Sequence, residues 1–413
     1  MQKNPGDAIK KNLLAYNFTS SLSGNLVSPF LSLFIYELAG GSFLATSIGS
    51  QLPAAISAVM SFIWARLSDS TGKRKSFILM GSLTGIVSSV ALSFATNLQQ
   101  VVIIQSLGAI TGSAGGSAFS ALLAEKFRNG RGEFLGKYNA MGVAGGFIGG
   151  LASGELYTLL GYRNLLRLYA ALNIIPVALI LSIDEEKTTN AKPHARVILH
   201  IPRVPRRFWR LYASRLLLTL PGAISGGVLG IYFLRYLRGS PKAWSTTVAI
   251  TVLAGLSTIP YGKLADKLST SEMFTMAGLG WTILYAGYYL APNPLVFAFF
   301  FIIPVWPLFW IAYTKALMDI SDETERATFY AFEGVLSTIY GSVIGILAGY
   351  LADATSPRTL FLLSSLSALS AAILVQKLLL PFSGQKRAKT NPLQWLMDSS
   401  ILQPILKREL RQF

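Results

Sequence analysis

Residues 65–75 read Ala65-Arg66-Leu67-Ser68-Asp69-Ser70-Thr71-Gly72-Lys73-Arg74-Lys75. One carboxylate, one glycine and three consecutive basic residues here interrupt two long apolar runs, 42–66 and 76–95. Runs of about 18 or more apolar residues suffice to cross a hydrocarbon core roughly 30 Å thick. Lipid offers no partner to a backbone N–H or C=O, so such runs must be helices. The stretch therefore reads as a tight turn between two membrane-spanning helices. Gly72 permits the turn, since a residue with a Cβ would strain it. The basic triplet suits the headgroup region.

Working outward, the same alternation gives twelve spans: 13–38, 42–66, 76–95, 99–124, 133–160, 163–183, 209–236, 243–265, 272–291, 295–318, 327–353 and 358–381. The fold class is an all-α membrane protein. Composition agrees: 52% of the 413 residues are apolar and only 13% charged, with a mean hydropathy of +0.49. A soluble domain carries about 25% charged residues, so an ordinary cytosolic enzyme, a disordered chain and a collagen-like fibre are excluded. The chain has no cysteine, which removes disulfides, thiolate metal sites and thiol catalysis. The first run is too long and too polar for a cleaved signal peptide.

The net charge of +17 has a definite distribution: 30 of the 36 Lys and Arg residues fall on one side of the alternating spans. The positive-inside rule makes that side, with both termini, cytoplasmic. The charge is then an orientation signal and an attraction to anionic lipid headgroups of the cell membrane, and needs no nucleic-acid partner.

The chain also repeats itself. Ala65-Arg66-Leu67-Ser68-Asp69 is answered by Gly262-Lys263-Leu264-Ala265-Asp266, Arg131 by Arg326, and Gly145 and Gly149 by Gly341 and Gly345, always 195 to 197 positions later. Two pseudo-symmetric six-helix bundles follow, 1–183 and 209–382, joined by a basic cytoplasmic loop, 184–208. That loop holds His194 and His200, which read as solvated residues. The tail, 383–413, reads as an amphipathic segment lying on the inner leaflet, with a flexible tail as the competing view.

On these residues the chain resembles the major facilitator superfamily along nearly its whole length. The family pattern Gly-x-Leu-x-Asp-x-x-Gly-Arg/Lys-Arg-Arg/Lys is met from Ala65 to Lys75, with only the first glycine replaced. The resemblance implies that this loop latches the two halves in one conformation. Asp69, Gly72, Arg74, Glu125, Arg131 and Asp266 are its switch residues, forming a charge network that breaks as the halves rock. Exposed ion pairs contribute about 0–1 kcal/mol each, enough to bias a balanced equilibrium. In the second copy Ser269 stands where the glycine would be, a degenerate hinge contact. The fifth span carries Gly142, Gly146, Gly150 and Gly154, with Gly145 and Gly149 on an adjoining stripe. Its run from Gly145 to Gly154 is similar to the signature of the drug/proton antiporter-like branch, with Gly150 in place of a proline and Ser153 of a glycine. Close helix packing explains the same ladder equally well.

In that family the first, fourth, seventh and tenth spans line a central cavity, which makes Asn25, Ser28, Gln105, Trp306, Trp310 and Tyr313 the candidates for substrate contact. Packing and lipid-facing roles remain open for the aromatics. Pro304 and Pro307 permit a bend in the tenth span. Arg215, Lys315 and Glu333 lie near cytoplasmic helix ends, where mutual pairing or snorkelling accommodates them. Glu37, Glu155 and Glu333 are the proton-coupling candidates, because charges within spans are costly and functional by default.

The expected protein is a monomeric secondary active transporter that moves a small-molecule substrate among membrane lipids by alternating access. Proton-linked export of an amphipathic or lipophilic compound fits the aromatic, weakly charged cavity helices. Alternatives are uptake of a sugar, polyol or other metabolite, a lipid flippase, and a membrane-embedded lipid-modifying enzyme. No nucleotide-binding, metal or other cofactor signature and no catalytic constellation are found in the sequence.

Overall fold

A computed structural model describes residues 5–126, 131–183, 204–321 and 326–379, without the side chains of 5–8, 124–126, 131 and 326–328. The described residues form helices joined by short turns. Those before the central loop are α1 (Pro5–Leu38), α2 (Phe43–Thr71), α3 (Arg74–Ser93), α4 (Leu98–Gly112), α5 (Ala114–Lys126), α6 (Arg131–Leu172) and α7 (Ile174–Leu181). After it come α8 (Arg206–Ser225), α9 (Leu229–Ile231), a π-helical turn (Tyr232–Tyr236), α10 (Pro241–Leu253), α11 (Thr258–Ala265) and α12 (Thr270–Leu290). α13 (Pro294–Phe301), α14 (Trp306–Ile320), α15 (Arg326–Ala354) and α16 (Pro357–Leu379) complete the set.

Among the described residues, ten helical runs are long and apolar enough to cross a membrane. The difference from twelve has two causes. α12 carries too many polar residues for its length to count among the ten. The fifth and sixth expected spans appear as one run of 50 residues, Gly132–Leu181. At 1.5 Å per residue such a run would measure about 75 Å if straight, more than twice a hydrocarbon core. It is broken at Gly161, whose φ of 74° admits glycine readily. Contacts with α1 climb from Phe18 (against Gly145) to Phe34 (against Tyr162), then descend to Ser23 (against Asn173) and Asn12 (against Ser182). The chain thus reverses at Gly161.

Local sequence sets the other boundaries. Ser42, Asn97, Ser240 and Asn293 cap α2, α4, α10 and α13 with side-chain oxygens on free amides. α2 ends at Gly72, at φ 66°. The expected bend in the tenth span is a full break between α13 and α14, and Tyr261 donates to the Pro304 carbonyl at 3.0 Å.

Helices α1–α7 pack mainly on one another, as do α8–α16; the two groups meet where α2 lies on α15 and α6 on α10. We call the face bearing the 65–75 turn and the starts of α1 and α8 the basic face, and the opposite one the far face. The groups touch near the far face and part toward the basic face. A Cβ on Gly150 would lie 2.9 Å from Ala249, and one on Gly345 3.0 Å from Gln51, yet Gly334, Gly341 and Gly262 have nothing within 4 Å. A crevice therefore opens on the basic face. Many large apolar side chains are exposed, among them Leu295 (78%) and Leu159 (71%). A belt of this kind needs lipid around it.

Candidate functional site

Along the crevice, α14 presents Trp310, 41% exposed, beside an open pocket of about 390 Å³ lined also by Thr314, Lys315, Met318 and Asp319. Behind that indole lies a buried ion pair between Arg215 of α8 and Glu333 of α15, 7% and 5% exposed. Ser337, one turn further along α15, donates to Glu333 Oε1 at 2.7 Å. The Arg215 guanidinium sits 5.1 Å from the Trp310 ring and 4.8 Å from the Tyr313 ring. Burying two charges is costly, and the cost is offset only by mutual attraction, further hydrogen bonds and the ring faces. The result is an aromatic surface turned to the crevice, backed by a pair with no net charge. It suits a flat apolar group better than a ligand demanding many hydrogen bonds.

The expected trio Trp306, Trp310 and Tyr313 does not share one environment. Trp306 is 42% exposed and Tyr313 only 1%, so Tyr313 is a second layer that supports Arg215. Helical phase does not separate them, since Tyr313 lies only about 20° from Trp306; Tyr313 is buried because Phe274 of α12 and Arg215 of α8 cover its ring. Its hydroxyl is buried without a hydrogen-bond partner. Among the described residues no hydrogen bond or ring contact joins Asn25, Ser28 or Gln105 to this cluster. Asn25 Nδ2 donates to Ser21 O of its own helix at 2.9 Å and faces Gly146. Ser28 is exposed, and the Gln105 Nε2 is buried without a partner. Lys315 reaches the end of α11, donating to the Ala265 carbonyl and lying 4.0 Å from Asp266. The expected mutual pairing thus joins Arg215 to Glu333 and leaves Lys315 with a different carboxylate.

The far-face closure engages the other two candidate carboxylates. Glu37 pairs with Arg235 and Glu155 with Lys242 at 2.8 Å, both across the two helix groups and both exposed. Ser245 Oγ accepts from Gly154 N–H at 3.0 Å, and Trp244 Nε1 donates to Pro29 O at 2.8 Å. The glycine ladder divides by stripe. A Cβ at Gly145 or Gly149 would overlap a carbonyl of α1 within the same group, whereas one at Gly150 or Gly154 would strike α10 of the other group. Sequence reasoning missed Asp353, whose carboxylate oxygens accept from Ser42, Phe43 and Leu44 at the start of α2. A carboxylate at a helix end 311 positions away in the chain carries no local signal of its partner.

In the 65–75 turn, Gly72 N–H donates to Ser68 O at 3.1 Å. Asp69 pairs with Arg74 at 2.6 Å, and Arg74 also donates to Ser68 Oγ at 3.0 Å. The basic run does not simply float among headgroups: Arg74 is 9% exposed, and Lys75 donates to the carbonyls of Leu181 and Ile183, both at 2.7 Å, capping α7. The side chains of Glu125 and Arg131 lie outside the described residues, as do residues 184–203 of the central loop, with both histidines, and the tail; the last residues of the expected loop, from Arg206, already belong to α8. Asp266 is 82% exposed on its side chain. Ser269 is no hinge remnant; it starts α12 through a reciprocal capping box with Glu272.

A helical bundle with an apolar belt, a crevice open on one face and a buried charge pair beside it defines a multi-pass membrane protein built of two helix groups. The comparisons agree. The family model of the Major Facilitator Superfamily matches residues 13–250 and again 216–408. An uncharacterised MFS-type transporter of Methanocaldococcus jannaschii is 24% identical over 89% of this chain and 94% of its own. The multidrug resistance protein MdtG of Escherichia fergusonii is 27% identical over 66% of this chain and 70% of its own. Among solved structures, the nucleoside transporter NupG superposes with a TM-score of 0.73 at 13% identity, covering 90% of this chain and 98% of that one. A POT family transporter gives 0.76 at 11% identity, covering 91% and 96%. The chain belongs to the Major Facilitator Superfamily, and it is a multi-pass membrane transporter.

Proposed function

We propose that this protein is a secondary active transporter that exports an amphipathic or lipophilic compound in a proton-linked cycle of alternating access. The observation that carries this reading is the exposed Trp310 on the crevice wall, backed by the neutral Arg215–Glu333 pair. A wall of that chemistry favours a flat apolar solute over a polyol. The similarity to a relative named for multidrug resistance supports export of such compounds. With the basic face in the cytoplasm, as the distribution of Lys and Arg favours, the crevice would load from inside the cell.

The transporter has twelve spans in two bundles, 1–183 and 209–382, with a connecting loop, 184–208, and a tail, 383–413. The reversal at Gly161 and the 21-residue α12 support that count. Asp69, Gly72, Arg74, Glu125, Arg131 and Asp266 form the switch on the cytoplasmic side. Glu37, Glu155 and Glu333 are the carboxylates available to couple protons, because each is held in an ion pair that rocking would break or protonation would dissolve. The protein works as a monomer, without covalent chemistry or a cofactor.

Reconstitution into liposomes, with a pH gradient and a panel of fluorescent amphipaths, nucleosides and sugars, tests this. Saturable flux of amphipaths that collapses with a proton ionophore is the expected result. Flux confined to sugars, or indifferent to the gradient, refutes it.

A further inference from the structure

A pocket of about 540 Å³ opens on the far face within the α8–α16 group, away from the crevice. Three turns wall it: the π-helical turn with Tyr232 and Tyr236, the α12–α13 turn with Leu290, and the α15–α16 turn with Arg358. Arg358 is held in place by its own Nε, which donates to the Tyr289 carbonyl at 2.8 Å, and its guanidinium sits 5.0 Å from the Tyr289 ring. That bond uses one of five N–H donors. Among the described residues no carboxylate pairs with Arg358. The nearest acid in sequence, Asp353, gives both its oxygens to Ser42, Phe43 and Leu44.

Tyr232 is the second polar group of the lining. Phe361 at 4.9 Å and Phe297 at 6.0 Å wall its ring, which also stacks on Tyr236 at 5.6 Å, so the residue is only 5% exposed. No described residue hydrogen-bonds its hydroxyl, which lies within electrostatic reach of the Arg358 guanidinium. A buried hydroxyl left unpaired is costly, and one acceptor in the pocket would satisfy it and the arginine together. Arg358 also brings its backbone N–H in the first turn of α16, where Pro357 has none and the Thr359 N–H goes to Ser356 Oγ at 3.2 Å. The rest of the lining is largely apolar, and Leu290 is 67% exposed in the belt that needs lipid.

We propose that this pocket binds a phosphate group, carried by a phospholipid headgroup of the far leaflet or free in solution, with Arg358 and the Tyr232 hydroxyl as its donors. Arg358 supplies the charge and a planar fork matched to phosphate oxygens. Tyr232 adds a neutral donor fixed by its packed ring, and Leu290 gives an acyl chain an apolar surface beside the headgroup. The volume is that of a ligand pocket and far exceeds the roughly 30 Å³ of one water. Tyrosines and arginines at a membrane interface commonly serve as outward anchors, but Tyr232 is buried against a cavity. It also belongs to a π-helical turn, a feature that recurs at functional sites. The pocket is separate from the crevice, so its occupant need not be the transported compound.

The absence of native cysteine allows a single reporter on the full chain: Thr355→Cys, exposed beside Ser356, carries a bimane. In detergent its quenching is titrated with phosphatidylglycerol bearing a nitroxide near the headgroup, and its emission is titrated in parallel with inorganic phosphate. Saturable quenching that unlabelled phosphatidylglycerol reverses, and that a nitroxide diacylglycerol lacking the phosphate does not produce, is expected. Arg358→Gln should weaken the apparent Kd about ten- to hundredfold and Tyr232→Phe about two- to tenfold. Tyr232→Phe should keep the parent Tm in lipid-free detergent, because the hydroxyl it removes has no protein partner. Arg163→Gln, which removes a far-face cation of the other group, should leave the Kd unchanged. A saturable response to the lipid assigns the headgroup, a response to inorganic phosphate alone assigns the free ion, and a response to neither overturns the proposal. Equal quenching by the diacylglycerol, or a Kd that neither Arg358→Gln nor Tyr232→Phe moves, also overturns it; if Arg358→Gln does not fold, an unmoved Tyr232→Phe does so alone.

Discussion

Alanine at Gly154 should open the far face without unfolding either helix group. A Cβ there would lie 2.6 Å from both Lys242 Cα and Pro241 O and would press on Ser245 Oγ. Carbon atoms pack at about 3.5–4.0 Å, so relief needs roughly 1 Å of separation between α6 and α10, and no rotamer change of Lys242 or Pro241 supplies it. Overpacking of this size costs about 1–3 kcal/mol. The cost falls only on the conformation in which α6 and α10 touch, so the open-to-closed ratio should rise about 5- to 150-fold. Gly145→Ala is the control. Its Cβ overlaps the Phe18 carbonyl of α1 inside one group, a contact that rocking does not relieve, so it should lower Tm and leave the far face shut. Ser47→Cys serves as the reporter: Ser47 is 8% exposed and packs on Gly349 across the interface. Labelling of that thiol from the far side by a membrane-impermeant maleimide should accelerate in Gly154→Ala alone. Unchanged labelling, with a loss of Tm matching that of Gly145→Ala, would refute the assignment of the two stripes.

Three further outcomes are expected. Arg215→Met or Glu333→Gln alone should destabilise the protein by about 3–5 kcal/mol, because each strands a buried charge or its partner, whereas Arg215→Met with Glu333→Leu should recover most of that loss; thermal melts in detergent decide. Trp310→Ala should leave Tm nearly unchanged, its ring being 41% exposed, and should raise the KM for aromatic amphipaths in liposome flux. Glu37→Gln and Glu155→Gln should each change stability by less than about 1 kcal/mol, since both pairs are exposed; gradient-driven flux that survives both would remove them from the coupling path.

Much of the site was legible in part. A charge within a span must find a partner, so Arg215, Lys315 and Glu333 stood out, but which two would meet depended on how α8, α14 and α15 are rotated. The i, i+4, i+7 spacing placed three aromatics on nearly one face. That spacing does not say what covers each ring: Tyr313 lies about 20° from Trp306 in helical phase, yet it is buried under Phe274 and Arg215 while Trp306 is exposed. The reversal at Gly161 is marked by a glycine inside an apolar run, yet hydropathy alone sees one continuous segment. Ser269 was misread through its place in the repeat, when the local Ser269-x-x-Glu272 spacing already spelled a helix start.

By itself the sequence determined the all-helical membrane class, the turn at Gly72 and the charge asymmetry, because each follows from local chemistry: apolar length, backbone freedom at glycine, and charge near headgroups. Tertiary structure alone decided which glycine stripe seals a group and which faces the other, and that Asp353 meets the amides of α2. Those contacts depend on helix rotation and on the tilt between two bundles, which chain positions hundreds of residues apart do not encode locally.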